Sequence, residues 1–134
     1  MKSLVYLTTL TFVALFSGCA TKPSSSDCHG AQTHSWEAWN NLMPGAGKTI
    51  HVIGKVRVNS GGWTATLSKR VPQGINPEIL LLDLKVTPPT GPVTAPVLDL
   101  PVEFSEKYTG EKFTKTQVFC GEKVIADLPV KDTH

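Results

Sequence analysis

The sequence predicts an all-β domain, an antiparallel β-sandwich of six to seven strands with at most one short N-terminal helix. Three observations lead there. Several short segments alternate apolar and polar residues with a period of two; clusters of Gly, Pro and Asn separate them; and only one stretch from Cys28 onward carries helical spacing. A small barrel would meet the same pattern.

The helical candidate comes first along the chain. In His34 to Met43 (HSWEAWNNLM), Trp36, Trp39 and Met43 fall near one helical face, which favours a short helical turn. Taken as a strand, the segment would put Trp36 on the same side as Ala38. Thr49 to Asn59 alternates cleanly, with Ile50, Val52, Val56 and Val58 against His51, Lys55 and Arg57, and predicts a half-buried strand. Asn59-Ser60-Gly61-Gly62 is turn chemistry, because Gly and Asn tolerate positive φ. Trp63, Ala65 and Leu67 then alternate with Thr64, Thr66 and Ser68, as a hairpin partner would.

Val71 to Pro77 holds two prolines and a glycine and is a loop. Ile79 to Val86 is apolar along one face through Leu80, Leu82, Leu84 and Val86, and along half of the other through Ile79 and Leu81. That pattern predicts a central strand covered on both sides. Thr87 to Pro96 contains four prolines and a glycine and must be an exposed connection. In the strand Val97 to Ser105, Leu98, Leu100, Val102 and Phe104 face inward while Pro101 faces outward, which marks an edge. Phe113 to Cys120 and Lys123 to Val130 form a hairpin across Gly121-Glu122, with Val124, Ala126, Leu128 and Val130 inward. Ile53, Ile79, Leu81, Phe119 and Ile125 point outward and would form a second apolar surface, for which Trp36 and Trp39 are candidate covers.

The strand number and length of this region, 28–134, resemble those of an immunoglobulin-like sandwich. The order Cys28, Trp63, Cys120 is similar to that of immunoglobulin domains, although the spacings differ, so the resemblance is one of architecture alone.

The N-terminus is built differently. Lys2 supplies a positive charge, Leu4 to Phe16 is a mainly apolar run, and Phe16-Ser17-Gly18-Cys19 follows. Charge, apolar core and small residues before a cleavage point are the parts of a secretory signal, and the run is too short to span a bilayer. Ser17, Gly18 and Cys19 resemble the lipobox of bacterial lipoproteins; Phe16 departs from the usual Leu, with Leu15 adjacent. The resemblance covers only this region. It implies removal of residues 1–18, a diacylglycerol on Cys19 and acylation of the new amine. By the sorting rule of that family, Ala20 implies the outer membrane, on its periplasmic side. Residues 19–27 then read as the lipidated cysteine and a short polar tether.

With Cys19 lipidated, two of the three cysteines remain, Cys28 and Cys120. An oxidising compartment makes a disulfide between them the expected state. Lys and Arg number 13 against 11 Asp and Glu, so the chain lacks the basic excess of a nucleic-acid binder.

No catalytic constellation emerges. Pro44-Gly45-Ala46-Gly47-Lys48-Thr49 ends like a nucleotide-binding P-loop, but Leu42 stands where the first glycine belongs and a strand follows where a helix is needed. Cys28, His29 and His34 lie close in sequence without a zinc spacing, so no metal site and no cofactor is expected. Ser60 sits in a Gly-rich turn without the GxSxG elbow of a hydrolase. The expectation is therefore a non-catalytic binding or structural module anchored in the cell envelope. The alternative is an inhibitor or immunity protein against an envelope-targeting protease or lysozyme. Candidate contacts to a protein partner are Pro88, Pro89, Pro92 and Val93 in the proline-rich connection, together with Trp36 and Trp39.

Overall fold

The computed structural model describes residues 28–93 and 96–134. The leader, Cys19 and the tether through residue 27 lie outside the described residues, as do residues 94 and 95 of the proline-rich connection. Eight strands follow: β1 (Gln32–Asn41), β2 (Thr49–Val58), β3 (Thr64–Lys69), β4 (Ile79–Thr87), β5 (Leu98–Lys107), β6 (Lys115–Cys120), β7 (Lys123–Pro129) and β8 (Lys131–Thr133). They form two four-stranded sheets, in the orders β5-β2-β1-β8 and β3-β4-β6-β7. The fold is a β-sandwich. Its sheets are mixed rather than purely antiparallel, because β4 pairs with β6 and β1 with β8 in parallel.

The core follows from the alternation. Ile50, Val52, Val56 and Val58 of the first sheet meet Leu80, Leu82, Leu84, Val86 and Val118 of the second, all buried. β4 is a central strand and β5, with Pro101, an edge, as the apolar pattern and the proline require. The Cys28–Cys120 disulfide joins the segment entering β1 to the end of β6, with the Cα atoms 5.7 Å apart, and so clasps one sheet to the other.

Three expectations need correction. The segment 34–43 is not a helical turn: most of it lies in β1, where Trp36, Ala38 and Asn40 face the core. Trp36 and Trp39, three residues apart in one strand, fall on opposite faces; the bulge between His34 and Glu37, with Ser35 at φ 57°, interrupts the pairing ahead of them. β2 and β3 are not a hairpin: residues 59–63 carry the chain from one sheet to the other, and β3 pairs with β4. Val124 and Leu98 are exposed rather than inward: a register shift after Val118 sets Val124 opposite Phe119, while Ile125 packs against the core, and Leu98 is the first residue of β5, at the end of the sheet.

The registers define two ends. Gln32 faces Arg57, and Val58 faces Leu98; Cys28 and Cys120 lie at the same end, with the loops 59–63 and 88–93. At the opposite end Asn41 faces Thr49, Thr49 faces Lys107, and Ile79 faces Lys115, so the loops 42–48, 70–78 and 108–114 gather there. The first end is called proximal and the second distal.

A buried polar knot closes the distal end. Asn40 is fully buried; it donates to the Phe113 carbonyl (2.8 Å) and to Asp132 (2.9 Å), and accepts from the Tyr108 hydroxyl (2.9 Å). Lys112 pairs with Asp132 and, with Asn40, holds its carboxyl below the usual range. Burial, then the Asp132 charge, pushes the Tyr108 phenol up. The knot fastens β8 to β1 although every β8 residue is exposed.

Candidate functional site

The most displayed apolar side chains belong to the β3–β4 loop at the distal end. Val71 is 88% exposed and Ile75 fully so, whereas the strand valines and isoleucines other than Val124 are buried or half-buried. Around them the loop is fastened by its own polar residues. The Gln73 carboxamide takes the place a continued β3 would occupy: its Nε2 donates to the Leu81 carbonyl (2.8 Å) and the Arg70 carbonyl (2.6 Å), and its Oε1 accepts from the Leu81 N–H (3.0 Å). Asn76 Oδ1 accepts from the Glu78 N–H (2.9 Å), a local turn that leads into β4.

Arg70 roots the loop. Its guanidinium lies 4.2 Å over the Phe119 ring, pairs with Asp83 at 2.8 Å and donates to the Gly121 carbonyl at 2.8 Å. Thus Leu81 and Phe119, outward on the second sheet, are covered by this loop and Arg70, not by the tryptophans; Gly74 passes close to the Leu81 methyl groups. Residues 70, 73 and 76 hold the backbone; residues 71 and 75 face solvent. Such a loop can enter an apolar cleft without being ordered on contact.

The sequence candidates fall elsewhere. Pro88, Pro92 and Val93 are exposed at the proximal end, and Pro89 is half-buried close to Gly62. Trp36 packs against the core over Gly54 and is no surface contact; its Nε1 is buried with no protein partner. Trp39 is half-buried on the outer face of the first sheet, stacked on His51 at 5.1 Å. The proline-rich segment and the two tryptophans therefore do not form one surface.

A second arrangement lies on the outer face of the first sheet. Ser35 Oγ is 2.9 Å from His34 Nδ1, and His34 Nε2 is 3.1 Å from Asp99 Oδ1, at an angle too oblique for a hydrogen bond. Arg57 grips the same carboxylate through Nε (3.0 Å) and Nη2 (3.3 Å). Arg57, and after it His34, bring Asp99 down to about 2. A shallow hollow of about 420 Å³ adjoins Ser35, bordered by Lys55, Pro101 and Glu103. The order Ser, His, Asp is that of an acyl-transfer triad, with the ring nitrogens exchanged: Nδ1 faces the serine and Nε2 the acid, and the acid is held by Arg57. Strand register alone brings Asp99 to the His34-Ser35 pair, so only a correct pairing of β2 with β5 could have found it in the sequence.

Cys28 is taken by the disulfide, His29 stands edge-on to Trp63 at 6.1 Å, and among the described residues no three potential ligands converge as a metal site. The P-loop-like segment is an exposed connection between two strands. No family model, curated protein or solved structure matches the chain. Fold and surface together define a disulfide-clasped β-sandwich that displays a pre-formed apolar loop.

Proposed function

We propose that the protein is a membrane-anchored envelope lipoprotein that acts as a binding module, engaging a protein partner through the loop 70–78. The observation that carries this reading is the contrast within that loop: Val71 and Ile75 stand in solvent while Gln73 fixes the backbone between them. Pre-organised apolar tips avoid the ordering cost of association, which is how small rigid domains reach useful affinity. The lipobox-like Ser17-Gly18-Cys19 supports the anchor. If the partner is a protease or lysozyme reaching the envelope, the same insertion makes the protein its inhibitor.

A photo-crosslinking side chain placed at position 75 in intact envelopes tests the reading. A discrete adduct, lost when Val71→Asp is added and absent when the probe sits at position 66, is the expected result. No adduct from either 71 or 75 sinks it. Assays of purified protein against lysozymes and serine proteases separate inhibition from simple docking.

A hydrolase is the second reading, favoured by the Ser35-His34-Asp99 chain. Labelling of Ser35 by a fluorophosphonate, abolished in Ser35→Ala, would establish it. A protein that stays unlabelled removes it.

A further inference from the structure

We infer that the proximal end of the sandwich rests on the bilayer that holds the lipid anchor, with Val93, Val97 and Leu98 entering the headgroup region. This rests on the lipid-anchor reading of Cys19 and adds to it an orientation.

The chain itself sets the first constraint. The described structure begins at Cys28, at the proximal end, and the nine-residue span from Cys19 reaches at most about 30 Å even fully extended. Charge sets the second. The proximal segments 28–31, 59–63, 88–93 and 96–98 contain no Asp, Glu, Lys or Arg. Their exposed large apolar residues are Val93, Val97 and Leu98. The fourth connection at this end brings in Glu122, which lies 3.4 Å from Arg70 on the outside of the second sheet. Behind the rim, Arg57 and Asp99 neutralise one another. Distal loops differ: Lys48, Arg70, Glu78, Glu111 and Lys112 all lie there.

A rim poor in charge with apolar tips loses little by leaving water for the headgroup region, whereas a ring of charges would lose much. Trp63 is at this end too, half-buried, its Nε1 donating to Ser60 Oγ at 3.0 Å. An indole with its polar edge satisfied is a favoured residue at a membrane interface. The nine-residue strand β4 then holds the loop 70–78 roughly 25 Å farther from the lipid, facing whatever approaches the membrane.

Depth-resolved fluorescence tests the orientation. Val97→Trp and Ile75→Trp proteins, acylated in cells, are inserted in phosphatidylethanolamine–phosphatidylglycerol vesicles whose lipids carry bromine on the upper acyl carbons. The wild-type signal is subtracted. Val97→Trp is expected to add a blue-shifted component quenched roughly twofold by brominated lipid. Ile75→Trp is expected to add one that only an aqueous quencher reaches. Equal quenching at both sites, quenching at position 75 alone, or none at either overturns the inference.

Mass analysis of the same preparations tells whether Cys19 is acylated. If it is not, the anchor reading fails by itself. The orientation is then read in a parallel arm, with the Cys19 thiol of the leaderless chain coupled to a maleimide lipid; the same outcomes decide it.

Discussion

The indole of Trp36 occupies the space that a side chain at Gly54 would need: a Cβ built there falls among the indole ring atoms. Gly54 shares the inner face of β2 with Val52 and Val56, so the core substitutes a tryptophan from the neighbouring strand for a missing valine. Gly54→Ala should lower stability by about 1–3 kcal/mol through overpacking. Trp36→Ala should cost at least about 3 kcal/mol. In the double variant the new methyl group enters the vacated space, so the two losses should fall short of additivity in urea unfolding.

That pairing also explains where the sequence was legible. Clean alternation in β2 and β4 shows directly which residues are buried, because each strand has one neighbour sheet and no bulge. β1 misleads because Trp36 and Trp39 lie three residues apart, a spacing that fits one helical face but in a strand puts one indole toward the core and the other on the outer face. The sheet assignment of β3 is hidden for another reason. A Gly-rich turn of five residues suits a hairpin and a crossover alike, and only the packing of both sheets decides between them. In the loop 70–78 the sequence shows two exposed apolar residues among prolines, but Gln73 acts through Leu81, and that contact exists only once β4 is placed.

The disulfide should dominate the stability of the domain. Cys28 and Cys120 are 92 residues apart, and closing such a loop is worth about 4–5 kcal/mol in the chain-entropy account. Cys28→Ala paired with Cys120→Ala should lose most of that in urea titration. Non-reducing mass analysis of wild type should show a two-dalton deficit that reduction restores.

Asn40 predicts a local rather than a global failure. Its side chain holds the Phe113 carbonyl, Asp132 and the Tyr108 hydroxyl in one buried knot. Asn40→Leu leaves the Phe113 carbonyl and the Tyr108 hydroxyl without that partner and Asp132 with Lys112 alone, at about 1–3 kcal/mol for each group left unpaired and kept from water. β8 should detach first, since it pairs with β1 over three residues only. Hydrogen exchange at the Leu42 amide, which donates to the Thr133 carbonyl, should accelerate well before exchange in β4 changes.

Acid should weaken the fold in a window set by Asp99. Its carboxyl is held at about 2 in the folded protein, by Arg57 first and His34 second, against an ordinary value near 3.9 in the unfolded chain. The unfolded state therefore binds the proton more readily. The contribution of this group is complete above about pH 4 and is lost as pH falls toward 2. Asp127 and Asp132, also lowered, add to the same trend. Asp99→Asn should be the less stable protein at pH 7 and should lose less between pH 4 and pH 2. Urea midpoints at those three values check both signs.

Gln73 separates display from contact. Replacing it by Ala leaves Val71 and Ile75 in place but removes three hydrogen bonds that fix the loop to Leu81 and Arg70. Loop amides should then exchange faster while the core remains protected, with a stability loss of about 1–3 kcal/mol from the freed Leu81 groups. For a partner that grips the apolar tips, affinity should fall about tenfold or more, because ordering the loop now opposes binding, and most of the change should appear in the dissociation rate. Ile75→Asp should abolish binding with little effect on stability, since the side chain touches solvent alone. Measured side by side by surface-based kinetics and urea unfolding, the two variants give different signatures: Gln73→Ala costs both stability and affinity, Ile75→Asp affinity only. A partner that binds Ile75→Asp as well as wild type uses another face of the sandwich.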